Sequence, residues 1–88
     1  MSTVLGEEKL AGVSPEKIVD TRGSRCPLPL LDVRREIVHV EVGNVLELWS
    51  SDSQCRKDVS AWASKVGHEF LGYVADAGYD RIFVRRTK

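Results

Sequence analysis

Hydrophobic positions in the middle of the chain recur with a helical period. Leu30, Val33, Ile37 and Val40 are spaced i, i+3, i+7 and i+10, which places them on one helix face. Arg34 and Arg35 fall on other faces, and Asp32 sits three residues before Arg35, a spacing that supports a helix. Gly43 is a credible stop for it. A second stripe, Cys55, Val59, Trp62 and Val66, has the spacing i, i+4, i+7 and i+11 and ends at Gly67. The segment "SSDSQ" ahead of it supplies several N-cap candidates.

Around these stripes the period falls to two. Residues 17–21, "KIVDT", read as a short strand that ends before Gly23. Residues 45–51 put Leu46 and Leu48 on one face and Val45, Glu47 and Trp49 on the other. Residues 68–75 are strand-like, "DAG" at 76–78 is a turn, and residues 79–86 form a last strand with Ile82 and Val84 opposite Arg81, Phe83 and Arg85. The order is β-α-β-α-β-β without an internal repeat. The two β-α-β links favour parallel, right-handed crossovers, and the short last turn favours an antiparallel hairpin. The fold class predicted is an α/β two-layer sandwich: a four-stranded mixed sheet with two helices on one face and the other face open. Residues 1–16 have no sustained period and are interrupted by Gly6, Gly12 and Pro15. They are expected to form a flexible N-terminal arm ahead of a domain over residues 17–88.

Composition narrows the function classes. The 88 residues suit one domain, with 42% hydrophobic and 30% charged positions. Thirteen basic and thirteen acidic residues cancel, which argues against a dedicated nucleic-acid binder. The balance is uneven, because residues 1–20 carry Glu7, Glu8, Glu16 and Asp20 against Lys9 and Lys17. Two cysteines without a Cys-x-x-Cys do not make a disulfide framework. No segment looks like a signal peptide or approaches membrane-spanning length. A cytoplasmic protein with reduced thiols, a monomer when free, is expected.

The sharpest local feature is "SRCPLPLLDVRRE", residues 24–36. Proline is costly inside a helix but harmless in its first turn, where backbone N–H groups have no intrahelical partner. With Cys26 as N-cap, Pro27 and Pro29 fall at the first and third helical positions. The positive helix end favours thiolate over thiol, and Arg22 and Arg25 add charge nearby. The stretch reads as a rigid pedestal for an activated sulfur. The alternative for a cysteine before a helix is a small buried residue.

The run "VDTRGSRCPLPLLDVRREI" resembles the TusA (SirA-like) sulfur-carrier family, through Val19-Asp20, Gly23 and Cys26-Pro27-Leu28-Pro29. Asp52, Asp58, Trp62, Gly67 and His68 continue the resemblance, which spans about residues 17–86. It implies the sheet order 1-2-4-3. It also implies that Cys26 accepts sulfane sulfur as a persulfide, in the manner of a sulfurtransferase, and hands it to an acceptor protein. Such relays serve tRNA thiolation, cofactor biosynthesis or sulfur metabolism. The partners implied are a sulfur donor (a cysteine desulfurase, a rhodanese or similar) and a sulfur acceptor. No cofactor, metal, membrane or direct nucleic-acid contact is expected. Pro27, Pro29 and Gly23 would shape the helix start. Leu28 stands where some members carry Glu, and Cys55 where no family-wide cysteine is expected.

Arg22, Arg25, Arg34, Arg56 and Lys57 are candidates for an electrostatic rim around the Cys26 end that docks an acidic partner, against the plainer reading of a solvated surface. Cys55 reads either as a buried core thiol or as a resolving thiol for Cys26, since both sit at helix starts at the same sheet end. His39 and His68 read as structural, and two His with two Cys lack metal-ligand spacing. Two other functions compete with the carrier. One is a thiol-redox module in which Cys26 pairs with Cys55 or a partner thiol. The other is a nucleic-acid module using Arg81, Phe83, Arg85 and Arg86 on the open face, which neutral charge and the lack of a Gly-aromatic RNA signature disfavour.

Overall fold

A computed structural model of the chain describes residues 13–25 and 28–88; residues 1–12, Cys26 and Pro27 lie outside the described residues. The elements are β1 (Lys17–Asp20), α1 (Leu28–Glu36), a 3₁₀ turn (Ile37–His39), β2 (Val45–Ser50), α2 (Cys55–Val66), β3 (Glu69–Asp76) and β4 (Tyr79–Arg85). The four strands form one mixed sheet in the order β1-β2-β4-β3. β1 runs parallel to β2, with Lys17 opposite Leu46 and Asp20 opposite Trp49. β4 is inserted antiparallel between β2 and β3. The two-layer α/β architecture and the sheet order are as expected.

The alternation in β2 and β4 sorts side chains between the two faces. Leu46, Leu48, Ile82 and Val84 join Val33 and Ile37 of the first helical segment and Cys55, Val59 and Ala63 of α2 in one buried cluster. Each fully buried Val, Leu or Ile contributes about 1.5–3 kcal/mol relative to exposure. The opposite face carries no helix among the described residues, yet it is not bare. Val45, Leu71 and Phe83 are buried there in a second cluster, with Val13 and Val74 packed against it. A bulge in β3 falls between Phe70 and Gly72. Neighbouring residues of a strand point to opposite faces, so Phe70 packs in the helix-side cluster and Leu71 in the other.

The first helix is shorter than its hydrophobic stripe. It tightens at Ile37 into 3₁₀ geometry and leaves the helix at Val40, whose N–H donates to the Ile37 carbonyl at 3.1 Å. The sequence Ile37-Val38-His39-Val40 is rich in β-branched residues, which hold α-helix poorly, and the tighter turn still buries both Ile37 and Val40. Gly43 therefore ends a later turn, donating to the Arg86 carbonyl at 2.7 Å. Ordering also begins before Lys17. The Glu16 carboxylate accepts from the Glu41 N–H at 2.9 Å and from Asn44 Nδ2 at 2.8 Å. The Asn44 bond, then the Glu41 bond, hold its carboxyl below the usual range.

α2 closes on Gly67 in the left-handed region, φ 90°, a conformation that favours glycine. His68 follows, half-buried, with its ring near Trp62 and its Nδ1 accepting from the Thr87 N–H at 3.2 Å. Burial first, and then Arg86 and Lys88, push its pKa below the ordinary value. A folded value below the unfolded one makes protonation weaken the fold. Stability should be full above about pH 6.5 and fall as pH drops through the lowered value. Urea unfolding at several pH values checks this. In His68→Asn that slope should flatten, and a slope equal to the parent's would assign it to another group.

Candidate functional site

The turn after β1 is clamped to the end of β2. Both the N–H and the Oγ1 of Thr21 donate to the Trp49 carbonyl, at 2.9 and 2.7 Å. The chain then reverses: the Ser24 N–H donates to the Thr21 carbonyl at 3.0 Å, and the Gly23 N–H donates to Ser51 Oγ at 2.8 Å. Gly23 has φ 92° and open space where a Cβ would stand, so glycine is required by conformation rather than by room. The Leu28 N–H reaches the Arg25 carbonyl at 3.0 Å and opens α1. Pro29 is buried in its first turn, where the missing N–H costs nothing. Cys26 and Pro27, placed by the sequence at the N-cap and first helical position, lie outside the described residues.

Across from this turn lies the start of α2. Asp52 Oδ1 accepts the Gln54 N–H at 3.0 Å, and the Asp52 carbonyl accepts the Cys55 N–H at 3.1 Å. Cys55 is fully buried. It is disulfide-bonded, which replaces the reduced thiol expected there. Ser50 is also fully buried. Its hydroxyl accepts from the Asp52 N–H at 3.1 Å and donates toward Cys55 Sγ, also at 3.1 Å. Neither Ser50 nor Ser51 was singled out from sequence beyond N-cap candidacy. The signal available was a pair of hydroxyls at the end of a strand facing a glycine turn. Between the two loops opens a cleft of about 450 Å³ lined by Gly23, Ser24, Arg25, Ser51, Asp52 and Ser53.

The five candidate rim cations are placed differently. Arg25 is exposed and lines that cleft. Arg34 on α1 and Lys57 on α2 are exposed. Arg22 forks onto Asp20 at 2.8 and 3.0 Å and lies over the rings of Trp49 and Tyr79. The Arg22 side chain, then its backbone N–H, keep the Asp20 carboxyl below its usual range. Arg56 forks onto Asp80 at 2.8 and 2.9 Å and covers Tyr73. That bond to buried Asp80 holds the guanidinium further toward its charged form. Beside the motif, Leu28 and Leu31 of α1 are 55% and 46% exposed, an apolar strip with room for contact.

The sheet face without helices is polar where it is not packed. Glu47, 1% exposed, accepts from Arg81 Nε at 2.8 Å and from Trp49 Nε1. Arg81 lies over the Phe83 ring, and Arg85 pairs with Glu69 at 2.7 Å. The aromatic and basic residues expected as an open patch are thus engaged with their neighbours, and Phe83 is fully buried. Among the described residues no cluster of His, Cys, Asp and Glu is arranged to hold a metal ion. No helix there is long and apolar enough to cross a membrane.

These features define a small βαβαββ sandwich in which a clamped glycine turn lies just ahead of the first helix. Residues 17–86 match the family model described as sulfurtransferase TusA, and the chain belongs to that family. A protein of Archaeoglobus fulgidus provisionally named a sulfur carrier is 42% identical over 71 residues, which are 81% of this chain and 97% of that one. The sulfur carrier protein TusA of Pseudomonas putida strain KT2440 is 27% identical over 73 residues, 83% of this chain and 91% of its own. The crystal structure of a SirA-like protein from Desulfitobacterium hafniense superposes with TM-score 0.71 at 19% identity, over 82% of this chain and 99% of that one. The last likeness is one of fold.

Proposed function

We propose that this protein is a sulfur carrier whose Cys26 takes up sulfane sulfur as a persulfide and passes it to an acceptor protein. The observation that carries the reading is family membership together with an intact Cys26-Pro27-Leu28-Pro29 motif. The chemistry needs one accessible thiolate: it attacks a donor persulfide, the donor thiolate leaves, and an acceptor thiolate later takes the outer sulfur. The clamped glycine turn and Pro29 supply a fixed base for such a thiolate. Arg25, with Arg34 and Lys57 further out, offers positive charge to acidic donor and acceptor surfaces. Leu28 and Leu31 offer apolar contact beside it. The disulfide at Cys55 favours a second, redox reading alongside the first.

Intact-mass analysis tests the carrier role. In a Cys55→Ser background, which leaves one cysteine, the reduced chain should gain sulfur atoms from inorganic polysulfide and lose them to an acceptor thiol. Adding Cys26→Ser should abolish the gain. Equal loading without Cys26 would dismiss the assignment.

A further inference from the structure

Arg22 makes two kinds of contact at once. Its guanidinium carbon lies 4.8 Å from the centre of the Trp49 ring and 4.9 Å from that of Tyr79. Its Nη2 and Nε donate to the two Asp20 carboxylate oxygens at 2.8 and 3.0 Å. We propose that Asp20, Trp49 and Tyr79 form a recognition site for a guanidinium, which Arg22 fills in the unbound protein and which an arginine side chain of a partner protein takes over on docking. Arg22 is then a built-in cap, and it keeps the site closed until a second arginine competes for it.

Each wall of the site is held by a group other than its occupant. Asp20 faces Trp49 across the β1–β2 pairing, and its Oδ1 also accepts the Arg22 backbone N–H at 3.1 Å, a bond that does not depend on the guanidinium. The Trp49 indole N–H donates to Glu47, and the Tyr79 hydroxyl donates to Asp76 Oδ2 at 3.4 Å. The two rings lie 5.5 Å apart with a tilt of 47°, so one cation meets both. Walls set in advance cost an incoming ligand little ordering. The chemistry favours guanidinium over ammonium, because a planar group can stack on a ring while its N–H groups fork onto a carboxylate. The site is also within reach. The side chains of Arg22 and Asp20 are each 46% exposed, and exposed ion pairs and cation–π contacts are weak against water. Arg22 can therefore exchange with a second arginine. Arg81, opposite Trp49 on β4, is paired with Glu47 at 2.8 Å and adds little repulsion.

The probe is N-acetyl-arginine methylamide, which carries the side chain as a protein would, and N-acetyl-lysine methylamide is its comparison. Each is titrated into the full-length chain and followed by the NMR signals of the Trp49 indole N–H and the backbone amides of residues 20–23. Arg22→Ala empties the site and should bind the arginine probe saturably. The parent should show the same shifts at about tenfold higher concentration, because its tethered Arg22 competes at millimolar effective concentration or above. The lysine probe should bind Arg22→Ala several-fold more weakly. Adding Asp20→Asn to Arg22→Ala should abolish binding of the arginine probe. Far-UV dichroism confirms folding, and Arg22→Gln serves if the alanine variant does not fold. Absence of saturable binding in the folded Arg22 variant overturns the proposal. So does a parent that binds as tightly as the variant or shows no shift at these residues, and so does equal binding of the two probes.

Discussion

Replacing Phe83 by alanine should lower the unfolding free energy by about 3–5 kcal/mol, as for a large buried aromatic. Phe83 lies on the sheet face that carries no helix among the described residues, where a strand side chain would ordinarily meet water. It is nevertheless 0% exposed and packs with Val45 and Leu71. Leu71 of β3 points to this side, and Val13 packs against the cluster. Truncation removes the ring's transfer free energy and leaves a cavity that strands on either side cannot easily fill. A domain of this size has a total stability of about 5–15 kcal/mol, so the variant should lose a large part of it. Urea unfolding measures the change. A loss below about 1 kcal/mol, typical of a surface substitution, would mean that this face is open after all.

Arg81→Ala should cost nearly as much, about 3–5 kcal/mol, because it strands a carboxylate that has left water. Glu47 is 1% exposed, and Arg81 supplies two of its bonds. The reverse change, Glu47→Ala, should cost less, about 2–3 kcal/mol after discounting for water at the guanidinium. Arg81 is 31% exposed and can turn toward solvent, whereas Trp49 Nε1 loses its acceptor. Replacing both partners by leucine should recover most of the loss, since neither charge is then left alone. Equal and small losses for the two single variants would show the pair to be screened by water and of little energetic weight.

The hydrophobic pattern alone determined the architecture. The two periodic stripes became α1 with its 3₁₀ extension and α2, and the alternating segments became the four strands, because period 3.6 and period 2 each put one apolar face on one side. The Cys-Pro-x-Pro segment, with Gly23 before it, was equally legible, since prolines in a first turn and a glycine in a reversal are local requirements that need no tertiary partner. What lay outside the sequence's reach was set by contacts distant along the chain. Ser51 clamps Gly23 from 28 residues away. Arg56 looked like a free cation until the β3–β4 hairpin set Asp80 beside it, 24 residues on. Phe83 looked like a surface aromatic until the sheet order set Val45 of β2 and Leu71 of β3 on either side of it. Cys55 on a helical stripe is indistinguishable from any small core residue. The Ser50 hydroxyl lies against its sulfur only because the end of β2 and the start of α2 fold back on one another. Periodicity encodes which face a side chain takes. Pairing between residues far apart in the chain depends on register and loop geometry, and only the folded chain decides it.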